Sequence, residues 1–230
     1  MVSIADQILY EDNHLLAINK RCGQIVQGDK TGDTTLPDLV KAYLKERDNK
    51  PGNVFCGVIH RLDRPVSGVV LFAKTSKALS RMNDTVKNRE IQKTYWAICK
   101  EKPIHPCGHL EDWILRKQES NKSFVVKPGT EGAKLAILDY KLINVSDGGY
   151  CLIEVKLHTG RHHQIRAQLS NMGCHIKGDL KYGASRSNPD GGISLHARSI
   201  TFIHPVRREP ITIIAPVPDD PLWMAISTTP

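Results

Sequence analysis

The 230-residue chain is 40% hydrophobic and 24% charged, which excludes a disordered or fibrous protein and leaves enough apolar surface for a sizeable core. Lys and Arg outnumber Asp and Glu by 32 to 24, giving a formal charge of +8 and a pI near 9.2. Such a field draws phosphate-rich ligands and releases their counterions on contact, although a merely basic soluble protein has the same balance.

The N-terminus has neither the basic stretch nor the long apolar segment of a secretory signal. The longest aliphatic or aromatic run, Val69 to Ala73, is too short to span a bilayer. A cytoplasmic protein without a membrane partner is expected. Cysteines at 22, 56, 99, 107, 151 and 174 form no CxxC pair, so reduced thiols and no metal are expected. Cys107 with His109, and Cys174 beside His175, are only weak metal signals.

In chain order, the pattern predicts two short strands at 8–10 and 15–19 joined by a polar turn. A helix is predicted at 36–46, because Leu36, Leu39, Val40, Tyr43 and Leu44 recur at helical spacing behind Thr and Pro37. A buried strand at 69–73 and a helix from Ser76 burying Leu79, Met82 and Val86 follow. Strands are then predicted at 94–99, 123–126, 136–145 and 152–157. A third helix spans 163–172, with Ile165, Leu169 and Met172 as its apolar stripe and Gly173 as its C-terminal cap. Strands at 195–203 and 211–214 close the chain before a Pro-rich tail.

Many strands with three short helices, outside simple βαβ alternation, imply an α+β fold with a mixed, largely antiparallel sheet. No repeat divides the chain, so a single domain over 1–230 is expected. Neither GxGxxG nor GxxxxGK[ST] occurs, which argues against a dinucleotide or ATP cofactor.

Three segments concentrate chemistry. The stretch 60–75, HRLDRPVSGVVLFAKT, sets Asp63 among His60, Arg61 and Arg64 before a buried strand. Neighbouring cations favour an ionised carboxylate able to act as nucleophile or base, while a surface turn with Asp63 paired to Arg is the bland alternative. The stretch 158–183 crowds Arg161, His162, His163 and Arg166 at a predicted helix start, with Lys177 and Lys181 beyond. This suits phosphate binding; the adjacent His162 and His163 point in different directions, so a metal is the minor reading. Lys93-Thr94-Tyr95-Trp96 enters a strand with its aromatics on opposite faces. One of them could stack on a base in a cleft, or both could be core.

These segments together resemble the RluA-type family of pseudouridine synthases. HRLDRPVSG (60–68) matches its HRLD-x-x-[T]-SG motif, ILYEDNHLLAINKRCG (8–23) its opening, and KTYWAICK (93–100) the strand with its tyrosine. HTGRHHQIRAQLSNMGCHIKGDLKYG (158–183) matches TGR-x-HQIR-x-HL…GD-x-x-YG, and LHARSITFIHP (195–205) the closing block. Arg21, Val66 and His162 depart from the usual Pro, Thr and Thr.

The resemblance implies a pseudouridine synthase fold and isomerisation of uridine in ribosomal or transfer RNA, without cofactor or metal. It implies that Asp63 is catalytic, by attack on sugar or base or by removal of a ribose proton. Arg166 is to pair with Asp63, and Tyr95 to pack on the uracil. Arg61 is to hold the flipped nucleotide or its phosphate, with Lys20, Arg161, Lys177 and Lys181 as further RNA contacts. A monomer without the small N-terminal RNA-binding domain of many relatives is expected. A non-catalytic RNA-binding protein and a hydrolase of free nucleosides are the rival classes.

Overall fold

The elements follow from local sequence signals. The computed structural model describes residues 3–28 and 32–228. Strands β1 (Ile8–Glu11) and β2 (Leu15–Lys20) flank a turn in which Asp12 Oδ1 accepts the amides of His14 and Leu15, both at 2.7 Å. Helix α1 (Leu36–Arg47) starts at Thr35, whose hydroxyl oxygen accepts the Asp38 amide, with Pro37 in its first turn. Next come β3 (Gly57–Val58), β4 (Ser67–Ala73) and α2 (Ser76–Lys87), the last capped by Thr75.

Strands β5 (Gln92–Cys99), β6 (Cys107–Lys117), β7 (Lys122–Val126), β8 (Lys134–Val145) and β9 (Cys151–Leu157) lead to helix α3 (Gln164–Asn171). Strands β10 (Leu195–Ile203) and β11 (Pro210–Ile214) and helix α4 (Pro221–Ser227) complete the chain. The class is α+β. Among the described residues, no helix is long and apolar enough to cross a membrane.

The chain forms two compact units, 1–91 with 197–216, and 92–196 with 217–230. In the first, β1, β2 and β4 pair antiparallel in turn, β3 adds to β4, and β10 pairs antiparallel with β11. Leu15–Ile18 and Val69–Ala73 are buried on both faces and join Leu36, Val40 and Leu44 of α1 in the core. Along α2, Met82 and Ala78 are buried, whereas Leu79 and Val86 are half-buried.

In the second unit, the order β5-β9-β8-β6-β7 is antiparallel throughout. Ile98 and Leu152 pack with Trp223 and Ile226 of α4, a helix absent from the sequence-based expectation. Asp220 caps α4 by accepting the amides of Leu222 and Trp223 at 2.9 and 3.1 Å. Strand β6 was likewise unexpected. Its burial alternates weakly, because it faces solvent along much of its length and carries charged residues.

Helix α3 departs from a one-sided amphipathic helix. Residues 164–169 are all buried, Gln164, Arg166 and Gln168 included. It ends as expected: Gly173 has φ 82°, the Cys174 amide donates to Leu169 at 2.9 Å, and the Gly173 amide to Ser170 at 3.0 Å. This left-handed cap satisfies two otherwise orphaned carbonyls.

Candidate active site

Asp63 lies in the first unit, half-buried, on the loop between β3 and β4. Its carbonyl accepts the Val66 amide at 3.0 Å, closing a tight turn through Arg64 and Pro65. The turn is held from beneath by Lys20. That side chain is 1% exposed, and its Nζ donates to the carbonyls of Arg21, Arg64 and Val66 at 3.1, 3.0 and 2.6 Å. An ammonium has three N–H groups, so three carbonyls use them all. Burial lowers the Lys20 pKa to about 8, opposed by the charges of Cys22 and Asp63.

Lys20 is thus not presented to a phosphate, as the sequence suggested. It braces the loop that carries Asp63. The Gly23 amide donates to the Arg64 carbonyl at 3.0 Å, adding a second tie.

Gly68 explains the Ser-Gly that ends the motif. Its φ is 112°, and a Cβ there would lie 2.3 Å from the Ala197 carbonyl oxygen and 2.5 Å from its nitrogen. Only glycine permits both the backbone angle and the approach of β4 to β10. Arg61 is exposed, with Nη1 donating to Gln27 Oε1. Arg64 pairs with Asp33 at 2.7 Å on the surface. Inside, His60 Nε2 accepts the Leu71 amide at 3.2 Å.

The second unit carries Tyr95 and Arg166. Tyr95, in β5 opposite Val155, is 7% exposed, and Trp96 on the other face is half-buried with its indole N–H on Glu154 at 3.3 Å. Arg166 is 5% exposed and forms a two-pronged pair with Asp179, Nε to Oδ2 at 2.7 Å and Nη2 to Oδ1 at 2.8 Å. Its guanidinium also covers the Tyr182 ring, 4.9 Å from the centroid. Both contacts fix the plane of the guanidinium.

Tyr182 is in turn pinned. Its hydroxyl lies 2.9 Å from His163 Nδ1, accepts the Ser123 amide at 2.8 Å and reaches the Ser123 carbonyl at 3.1 Å. His162 stacks on His163 at 3.8 Å between centroids and touches Ser123 Oγ at 2.9 Å. Burial, with Arg166 and His162 nearby, pushes the His163 pKa down to about 2, so it remains neutral. Asp179 and Tyr182 stand in the GD-x-x-YG block that marked the segment, but sequence alone attached no role to them.

The other basic residues differ in what they offer. Arg161 is half-buried, with Nε on the Leu135 carbonyl at 2.8 Å. Lys177 is half-buried and donates to Asn188 at 2.6 Å. Lys181 is exposed, resting on the carbonyls of Ser120 and Asn121 at 3.3 and 3.2 Å. At the start of α3, Gln164 Oε1 accepts the Thr159 hydroxyl and the Arg161 amide at 2.8 and 3.0 Å.

The fold is that of solved pseudouridine synthase structures. A human structure named RNA Pseudouridylate Synthase Domain Containing 4 superposes with a TM-score of 0.78 at 24% identity, over 94% of this chain and 90% of that one. The family model described as RNA pseudouridylate synthase matches residues 14–171, which include Asp63, Tyr95 and Arg166. The chain belongs to the RNA pseudouridine synthase family of isomerases.

Among its relatives, Ribosomal large subunit pseudouridine synthase C of Rickettsia felis is 34% identical over 214 residues, 93% of this chain and 68% of that protein. Ribosomal large subunit pseudouridine synthase D of Xylella fastidiosa is 33% identical over 227 residues, 93% of this chain and 66% of the relative. The chain thus spans about two thirds of the length of these relatives.

Proposed function

We propose that the whole chain acts as one catalytic domain, a cytoplasmic monomer that isomerises uridines in structured RNA, foremost ribosomal RNA. The observation that carries this is the braced turn. A half-exposed carboxylate on a loop whose carbonyls are tied to a buried ammonium is a rigid acid in a segment matched by the family model. Two relatives named for the ribosomal large subunit support that RNA as substrate; transfer RNA is the second substrate class.

Isomerisation detaches uracil from the ribose, turns it and rejoins it through carbon, so the target must leave its stack and be held while free. Asp63 acts at the reacting nucleotide. Arg166, held rigid by Asp179 and Tyr182, is the arginine that the family resemblance counts among the catalytic residues. Tyr95 supports the uracil, and its hydroxyl handles the proton lost from the new carbon linkage. Arg61 holds the flipped nucleotide, with Lys181 and the partly buried Arg161 and Lys177 along the phosphate track.

The test is incubation of the purified chain with unmodified large-subunit ribosomal RNA and transfer RNA, followed by carbodiimide mapping. Discrete pseudouridines in ribosomal RNA are expected. No new site in either RNA would overturn the proposal, and sites confined to transfer RNA would transfer it to that substrate.

A further inference from the structure

We propose that His109, Asp139 and His158 form a binding site for one divalent ion of the zinc type on the solvent face of the second unit's sheet. The three residues lie far apart in sequence and are joined by strand register. His109 on β6 is directly opposite Asp139 on β8, and His158 follows the end of β9, where its amide donates to the Ile137 carbonyl at 3.1 Å. Leu138 and Tyr140 point to the core, so Asp139 between them points outward.

His109 Nδ1 lies 2.6 Å from Asp139 Oδ1, and His158 Nε2 lies 2.6 Å from Asp139 Oδ2. The three ligand atoms all fall within 4.8 Å of one another. Ions of this type take imidazole nitrogen and carboxylate oxygen at about 2.0–2.2 Å, which places neighbouring ligands roughly 3.3 Å apart. The cluster reaches that geometry by small side-chain rotations, with the backbone fixed by the ladders on both sides of β8.

The donor set selects the ion. Two imidazoles and one carboxylate suit zinc, cobalt or nickel over magnesium or calcium, which favour all-oxygen shells. An ionised carboxylate only accepts, so each short nitrogen–oxygen contact contains a proton. A divalent ion would take the place of those shared protons, with water filling its remaining positions. Glu111, on the same face of β6, sits 3.9 Å from His109 Nε2, beyond hydrogen-bond reach, and adds negative charge beside the cluster.

The ion would staple β6 and β8 to the turn 158–161, which leads into α3. Thr159 of that turn is already fixed, its hydroxyl accepting the Ile137 amide at 2.8 Å. The site therefore adds a metal-dependent tie to the approach to Arg166, independent of the reaction chemistry.

Cobalt(II) titration of the untagged full chain, followed by visible absorption, tests the proposal; competition with zinc gives the tighter affinity. One cobalt per chain is expected, with ligand-field bands typical of nitrogen and oxygen donors. His109→Ala and His158→Ala should each weaken binding at least roughly tenfold, and Cys107→Ser, two residues away on the same strand, should leave it unchanged. All three positions are exposed, so circular dichroism should show intact folds. Binding unaffected by both histidine substitutions, absence of a stoichiometric cobalt complex, or a sulfur charge-transfer band would each overturn the assignment.

Discussion

Nζ of Lys20 lies 2.6 Å from the carbonyl oxygen of Val66, three residues beyond Asp63, in a setting that leaves Lys20 1% exposed. A buried charge is tolerated there because backbone carbonyls consume every N–H it has. Lys20→Met should keep the volume but leave carbonyls without partners, each costing about 1–3 kcal/mol. The saturated rate should fall by at least roughly tenfold, with RNA affinity little changed; single-turnover rates and filter binding measure the two.

The same contact predicts a pH effect. Burial lowers the Lys20 pKa from 10.5 to about 8. Between those values the unfolded chain holds the proton and the folded chain sheds it, so this group's contribution to stability rises with pH across that window. A neutral amine, however, has two N–H groups for three carbonyls. The turnover rate should therefore decline above pH 8 without a matching loss of melting temperature from this group. Lys20→Met should lack that alkaline limb, and its persistence in the variant would assign it to another residue.

Arg166 and Asp179 are both almost fully buried. Asp179→Ala would strip the buried guanidinium of both hydrogen bonds of this pair, and urea denaturation should show a loss of about 3–5 kcal/mol. Asp179→Asn keeps an acceptor oxygen and should lose less. Equal stability of Asp179→Ala and the parent would remove the pair from the account of how Arg166 is held.

Much of this was legible in sequence and some was not, for physical reasons. Asp63, Tyr95 and Arg166 stood out because their neighbours form ordered motifs, and most strands showed apolar runs. The use of Lys20 was hidden, since spacing does not reveal which lysine the core encloses. Asp179 was missed as a partner because its pairing with Arg166 depends on how residues 172–179 fold back after α3. Strand β6 and helix α4 were missed for opposite reasons. The first is too polar to read as a strand, and the second is short and begins beyond prolines that suggested an irregular tail.

Gly68→Ala should be severely destabilising. The Cβ would meet the Ala197 backbone at 2.3 Å at a φ that side chains rarely adopt, a cost above about 1 kcal/mol. Thermal melting should drop by several degrees; a parent-like melting curve would contradict the close approach of β4 to β10.

Exposed cations should set RNA affinity through phosphates. Lys181→Ala should weaken binding and flatten the slope of log affinity against log salt by about 0.7, the value for one phosphate on a single strand. Arg61→Ala should instead depress the saturated rate, because the RNA would bind without holding the extruded nucleotide. An Arg61→Ala protein that loses affinity alone would make Arg61 another phosphate contact.

Tritium release from RNA labelled at carbon 5 of uridine tests the central role of Asp63 most directly, because rejoining the base through that carbon displaces the label. Asp63 is half-exposed on its turn, so Asp63→Asn and Asp63→Ala should fold and bind RNA within about tenfold of the parent, or about 1.4 kcal/mol. The parent should release tritium in proportion to pseudouridine formed, and both variants should release none above background. Appreciable release by Asp63→Ala would contradict the assignment of Asp63 as the catalytic carboxylate.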